Sequence, residues 1–266
     1  MSNRFAECFF FKFALLVLCA GVMVFLPINA IAGMNEAKAA ANEGDYDTAY
    51  VEFKPLAERG DPFAQYMLAL MHMHGKGTER NSRLALQWFE KSAAQGFADS
   101  LFNLGVMYTQ AIGVSKDFPK GVELLKQAGE RGSGEAQLNL GIIYDTGENL
   151  PQDFKQAAIW YQKASEKGVV PAQFNLGSLY EAGQGVQKSE VVAFAFYTIA
   201  MYNGFPPSSA KLEALKSRMS ASDIARGKAL VVEMVKPTKL TLSQQMSGQP
   251  VVPRNLTNAL RSAVEK

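Results

Sequence analysis

The sequence predicts an all-α protein, an α-α solenoid of about 4.5 helix–turn–helix repeats of 36 residues with a C-terminal helical cap. Three observations predict it. The same residue types recur in phase every 36 residues across most of the chain. Within each unit the apolar residues fall three and four apart, the period of an amphipathic helix. Glycines mark each unit at fixed places, between the two helices and at the close. Such a unit cannot bury its apolar stripe alone, but a stack of them can.

Residues 1–32 stand apart from the repeats. Arg4 and Lys12 precede an apolar run from Phe13 to Leu26, followed by Pro27 and the small-residue triplet Ala30-Ile31-Ala32. This is the layout of a secretory signal peptide, with cleavage expected after Ala32. The apolar run is shorter than the roughly 20 residues that span a bilayer as a helix. The alternative is an uncleaved inner-membrane anchor over residues 13–28. Cys19 follows Leu18, whereas the acylated cysteine of a lipoprotein follows a small residue. Cys8 and Cys19 both lie in this segment, so the rest of the chain has no disulfide or thiol chemistry available.

Residues 33–61 read as a partial repeat. Positions 34–43 supply a short first helix, and Asp45, Ala49, Phe53, Ala57 and Gly60 match the second half of a unit one period earlier. Four full units follow at 62–97, 98–133, 134–170 and 171–205. Leu68, Leu104, Leu140 and Leu176 share one position, and Ala69, Gly105, Gly141 and Gly177 the next. A small residue there lets the second helix approach closely. His72, Tyr108, Tyr144 and Tyr180 complete that side of the first helix. In the second helix, about 82–95 in the first unit, Ala85, Trp88, Phe89, Ser92 and Ala93 turn inward. The corresponding pairs are Leu124-Leu125, Trp160-Tyr161 and Phe196-Tyr197. Gly96, Gly132, Gly168 and Gly204 close the units in the left-handed conformation that stops a helix. Residues 206–236 form the cap. A helix runs from Ser208 to Met219 with Leu212 and Leu215 inward, and Ser222 is read as the N-cap of another that reaches about Val235. Residues 237–266 are a tail, flexible to 253, with a short helix over 255–264 that places Leu256, Leu260 and Val264 on one face.

The pattern Ala-Gln-x-x-Leu-Gly-x-x-Tyr, clearest over residues 172–180, resembles the Sel-1-like repeat, a relative of the tetratricopeptide repeat. Gly183-Gln184-Gly185 matches the family's turn, and Asp153, Ala157, Trp160 and Tyr161 match its second helix. The resemblance covers roughly 34–236 and implies a right-handed α-α superhelix that binds proteins. Segments like Arg218-Met219-Ser220-Ala221-Ser222-Asp223-Ile224 end many bacterial members. His72 replaces the usual tyrosine, residues 111–113 read Ala-Ile-Gly, and Glu148-Asn149 stands where a second turn glycine belongs. These departures put the local turn shape in question.

Candidate chemistry is sparse. The net charge is +2 and the lysines and arginines are scattered, without the basic stripe of a nucleic-acid binder. Met71-His72-Met73-His74 brings together copper-ligand types. His72, however, falls in the tyrosine column and His74 points elsewhere, so no metal site is expected. Ser208-x-x-Lys211 fits the nucleophile motif of penicillin-recognising enzymes, but their partner motifs are absent. There Ser208 reads more simply as a helix N-cap. No Walker loop is present. The sequence therefore predicts no enzyme, no cofactor and no metal. The alternative is a cell-wall or β-lactam-related hydrolase on a repeat scaffold.

What remains is the concave face lined by the first helices. Asn103, Asn139 and Asn175 share one column there. Their amides either hydrogen-bond a peptide backbone or tie their own helix to the neighbouring turn. Tyr66, Phe102, Leu138 and Phe174, one residue earlier, either floor the groove or pack between repeats. The function expected is a protein- or peptide-binding scaffold of the bacterial envelope, periplasmic or secreted. It is expected to be monomeric, with no nucleic acid and no membrane contact beyond the signal.

Overall fold

The computed structural model describes residues 28–235, Pro253 and residues 256–264. Among the described residues it is all helix. α1 (Ile28–Glu43) and α2 (Tyr46–Glu58) form the partial repeat. The first repeat is α3 (Pro62–His74) and α4 (Ser82–Ala94), and the second is α5 (Ala98–Gln110) and α6 (Phe118–Glu130). The third is α7 (Gly134–Thr146) and α8 (Phe154–Glu166), and the fourth is α9 (Val170–Ala182) and α10 (Glu190–Tyr202). The cap is α11 (Pro207–Lys216), α12 (Ala221–Met234) and α13 (Leu256–Val264). Through the repeats each helix packs chiefly on its neighbours in sequence, as a solenoid requires. In the cap, α10 also meets α12 and α13.

Every second helix starts on a side-chain cap in one sequence column. Asp45, Asn81, Asp117, Asp153 and Ser189 each accept a hydrogen bond from a backbone N–H two or three residues on. Each such cap stabilises its helix by about 0.5–2 kcal/mol. From Asn81 onward the same residues donate their own N–H to the tyrosine-column carbonyls, those of His72, Tyr108, Tyr144 and Tyr180. The cap thus starts the second helix and also fixes it to the first.

The small column does what its spacing implies. A Cβ on Gly105 would lie 2.7 Å from Leu125 Cγ, and one on Gly177 would lie 3.0 Å from Tyr197 Cε1. One on Gly141 would run into the Tyr161 ring. The turns keep one shape despite their sequence departures. Ala111 and Asn149 adopt φ of 60° and 62°, beside 69° and 71° for Gly75 and Gly185. Asn reaches this region at low cost, whereas Ala carries a Cβ penalty there.

Hydrogen bonds of two kinds knit the array. Within a repeat they span 30 residues, as from Ser92 Oγ to the Pro62 carbonyl and from Asn203 Nδ2 to Gln173 Oε1. Across a junction they span 8, as from Gln65 Nε2 to the Ala57 carbonyl and from Gln137 Nε2 to the Gly129 carbonyl. Gln65, Gln137 and Gln173 are buried.

Several boundaries differ from the sequence reading. α1 begins at Ile28, so it runs through Ala30-Ile31-Ala32. Of the signal read at residues 1–32, residues 1–27 lie outside the described residues, as does the anchor alternative over 13–28 but for its last residue. Among the described residues no helix is long and apolar enough to cross a membrane. The N-cap of α12 is Ser220, whose Oγ accepts from the Asp223 N–H, and not Ser222. Ser222 falls in the first turn of the helix, past the point where a side chain can cap it. Ser208 is not an N-cap either. α11 starts from Pro206 without a side-chain cap, and Ser208 is fully buried. Trp88 is half-buried, with Lys91 Nζ 4.0 Å from its ring centroid. The tail helix α13 packs Leu256, Ala259 and Leu260 against the cap core of Val191, Leu230 and Met234. The flexible stretch read at 237–253 lies outside the described residues except for Pro253, which is buried.

Candidate binding face and relatives

The first helices α3, α5, α7 and α9 place the candidate residues in rows. Asn103 and Asn139 sit half-buried in the middle of α5 and α7. Asn103 Nδ2 donates to the Asp99 carbonyl at 2.7 Å, and Asn139 Nδ2 donates to the Glu135 carbonyl at 2.9 Å. Each is a bond back along the amide's own helix. Asn175 differs, since its side chain hydrogen-bonds the Tyr161 hydroxyl of the preceding repeat. One turn on, Val106 is half-buried and Ile142 is 40% exposed.

The aromatic candidates pack mainly against the repeat interior. The Tyr66 ring lies 6.0 Å from Phe89 and 5.2 Å from Phe97, the residue that follows the closing glycine. Phe174 lies 5.3 Å from Tyr197 and 5.2 Å from Phe205, which follows the next closing glycine but two. Phe102 joins the apolar cluster around Leu101, Leu125 and Leu140. All three remain partly exposed.

Charge is divided between the two sets of helices. α3, α5, α7 and α9 carry Asp99, Glu135, Asp145 and Glu181 and no Lys or Arg. Burial raises the Asp99 carboxyl, and the neighbouring Glu135 charge adds to that. Burial, with the charge of Asp99 and Glu135, also raises the Tyr66 hydroxyl. The Asp99 and Glu135 charges thus repel on this side, and neither makes an ion pair among the described residues.

In the last two units an acid anchors the second helix. Tyr161 Oη donates to Asp145 Oδ2 at 3.0 Å, and Tyr197 Oη donates to Glu181 Oε2 at 2.6 Å, an equivalent pair one period on. Burial alone would raise the Glu181 carboxyl, but hydrogen bonds from Tyr197, Arg218 and Lys211 outweigh it and hold it low. Arg218 bridges Glu181 at 2.6 Å and Glu190 at 2.9 Å, which locks the cap onto the last repeat.

The chemistry-bearing motifs come apart in three dimensions. Lys211 Nζ pairs with Glu181 at 3.2 Å, and Ser208 Oγ is buried without a partner. This arrangement gives the hydrolase alternative no support. His72 is buried and His74 exposed, so their imidazoles do not share a face. The buried glutamines were the structural residues that sequence reading missed. Their recurrence at 65, 137 and 173 was visible, but Leu101 interrupts the column and gave it no obvious role.

No curated protein matches the chain. Among solved structures, it is similar to a Sel1 repeat protein from Oxalobacter formigenes at 33% identity and a TM-score of 0.61, over 64% of this chain and 49% of that one. It is also similar to c5321, a protective antigen of uropathogenic Escherichia coli with an SLR fold, at 26% identity and a TM-score of 0.64. That match covers 87% of this chain and 52% of the other. The chain thus spans about half the length of these relatives. The Sel1 repeat matches at residues 62–97, 98–133, 134–169 and 170–205. Proteins built of this repeat are generally protein-interaction scaffolds. With four consecutive matches over more than half of its length, each coinciding with one helix pair, the chain belongs to the Sel1 repeat family.

Proposed function

We propose that this protein is a scaffold of the bacterial cell envelope that binds a protein or peptide segment along the face lined by α3, α5, α7 and α9. The observation that carries the reading is the repeated row of half-buried Asn103 and Asn139 beside Val106 and exposed Ile142. Each of these amides spends one N–H on its own helix, which fixes its orientation. The second N–H and the carbonyl oxygen stay available for a peptide backbone. Asn175, Tyr66, Phe102 and Phe174 extend and floor the same row. The acidic side chains of this face favour a neutral or basic segment over an acidic one. Export rests on the leader layout of residues 1–32 and on a remainder without cysteine. The protein acts as a monomer and carries no catalytic group of its own.

The test is a pull-down from the envelope fraction, with the N-terminus of the recovered chain sequenced. It is expected to begin at Gly33. An intact chain in the inner membrane supports the anchor instead. The partner recovered is then titrated against the Asn103→Ala/Asn139→Ala/Asn175→Ala variant. Each lost hydrogen bond costs about 0.5–1.5 kcal/mol. Together the three weaken binding by roughly one to three orders of magnitude, at about 1.4 kcal/mol per tenfold. A variant of lower stability but unaltered affinity per folded molecule assigns the column to structure and removes these residues from the site.

A further inference from the structure

At the N-terminal end of the first-helix face, three aromatic rings gather beside the two unpaired acids. Tyr66 of α3 lies 5.2 Å from Phe97, and Phe63 lies 6.5 Å from Tyr66 and 6.3 Å from Phe97, between ring centroids. All three rings are partly exposed. In the column of Phe97, Asp61 and Ser133 cap their helices with a side-chain oxygen. Phe97 begins α5 without such a bond, so a ring stands there in place of a cap.

The Tyr66 hydroxyl adds a polar group to this corner. Its column holds Phe102, Leu138 and Phe174 in the later units, so packing there needs no oxygen. That oxygen makes no hydrogen bond among the described residues. It lies within reach of the charges of Asp99 and Glu135, which also act on one another. Both carboxylates belong to exposed residues. Two basic side chains of the same corner are turned elsewhere. Lys38 Nζ sits 4.6 Å over the Phe63 ring. Arg131, which reaches the Gly96 turn, donates to the Gln127 carbonyl of its own helix. Neither pairs with Asp99 or Glu135 among the described residues.

We propose that this corner docks an arginine carried on an extended segment of a partner protein. The inference rests on the first-helix face being the binding face, and it names the chemistry taken at one end of that face. The guanidinium lies flat on Tyr66 and Phe97, and its N–H groups donate to Asp99, Glu135 and the Tyr66 oxygen. Three acceptors beside aromatic faces suit a planar cation with five donors. Lysine carries a compact, strongly hydrated charge, which meets an acid but does not stack as a plane. An acidic side chain would add a third like charge. An aliphatic one would leave the two acids repelling. The corner already holds one cation on a ring, at Lys38 and Phe63.

The experiment titrates the full chain with three acetylated peptides of alanine and serine. One has a single central arginine, the second replaces it by citrulline, which keeps the shape and removes the charge, and the third replaces it by lysine. The arginine peptide is expected to saturate. The citrulline peptide should bind about tenfold more weakly or worse, the worth of a charged hydrogen bond. The lysine peptide should bind about threefold more weakly or worse. Asp99→Asn/Glu135→Gln, at two exposed positions, should erase the difference between arginine and citrulline. Tyr66→Leu, the residue that Leu138 supplies in this column, should erase the preference for arginine over lysine. The proposal is overturned by no saturable binding of the arginine peptide, by equal binding of the citrulline or lysine peptide, or by an arginine preference that survives Asp99→Asn/Glu135→Gln. Its failure is distinct from that of the asparagine row. A recovered partner weakened by the triple asparagine variant, with arginine and citrulline peptides bound alike, overturns this inference alone. An arginine preference that Asp99→Asn/Glu135→Gln abolishes and the asparagine variant leaves intact supports it and tells against the row.

Discussion

His72 occupies the position that Tyr108, Tyr144 and Tyr180 hold in later repeats, and it packs edge-on to Tyr50 at 5.6 Å. Burial lowers its imidazole pKa, and the Lys54 charge acts in the same direction against a backbone hydrogen bond at Glu79. Between that lowered value and the unfolded value of about 6.5, the folded chain binds fewer protons than the unfolded one. This contribution to stability is complete above about pH 6.5 and is lost as pH falls through the folded pKa. Calorimetric melting from pH 8 to 5 should therefore show a decline that His72→Gln flattens. Parallel profiles for parent and variant would mean that the imidazole protonates as readily in the folded chain as outside it. At this scale the sequence was legible where a column was unbroken. The position of His72 followed from its phase alone. Ser208 and Ser222 were misread because several serines lie near each helix start. Which one caps depends on where the backbone leaves the helix, and residue type does not settle that.

Helices were legible because period and punctuation agree. Each repeat has an aspartate, asparagine or serine at the start of its second helix and a glycine after its end. The packing of the two helices within a unit was legible for the same reason, since only glycine or alanine occupies the crossing point. Gly141 gives the strongest test, as Tyr161 lies directly over it. Gly141→Leu should fall at the upper end of the about 1–3 kcal/mol typical of overpacking. Chemical denaturation reads the loss. An unchanged midpoint would mean that α7 and α8 separate freely at their crossing. The turns were less legible. Ala111 and the Glu148-Asn149 pair suggested altered loops, yet the backbone takes the same left-handed path. The fixed contact between each turn and its neighbouring helices outweighs the local penalty of about 1–2 kcal/mol.

At the scale of the whole molecule, the stack must be closed where its repeats stop. Arrays of this kind expose an apolar face at each terminus unless a cap covers it. At the C-terminal side α11 and α12 do so, and α13 returns to finish the cover with Leu256, Ala259 and Leu260. The sequence showed α13 as an amphipathic helix, but not where its apolar face goes, because a gap of some twenty residues hides its destination. Each buried leucine contributes about 1.5–3 kcal/mol before the cost of ordering the helix. Removing residues 254–266 should thus cost about 1–3 kcal/mol net, read as a lower melting temperature with the repeats intact by circular dichroism. No shift on truncation would show that α13 contributes nothing to the cover. The candidate row was legible only as a column of amides. The Asn103 and Asn139 amides are turned by a carbonyl four residues back and the Asn175 amide by the Tyr161 hydroxyl, and no periodicity reveals which.

The two bond spans that knit the array, 30 residues within a repeat and 8 across a junction, bear on how such a chain can change length. Neither span refers to the ends of the protein. A duplication or excision of one whole period, begun at any phase, therefore joins equivalent positions and restores both kinds of bond. One residue more or fewer inside either span changes the separation of the donor and acceptor that flank it, and a buried glutamine there loses its partner. Length can thus vary in whole periods at little energetic penalty, while fractional changes are heavily disfavoured, and the number of repeats becomes a trait that selection can adjust separately from the fold.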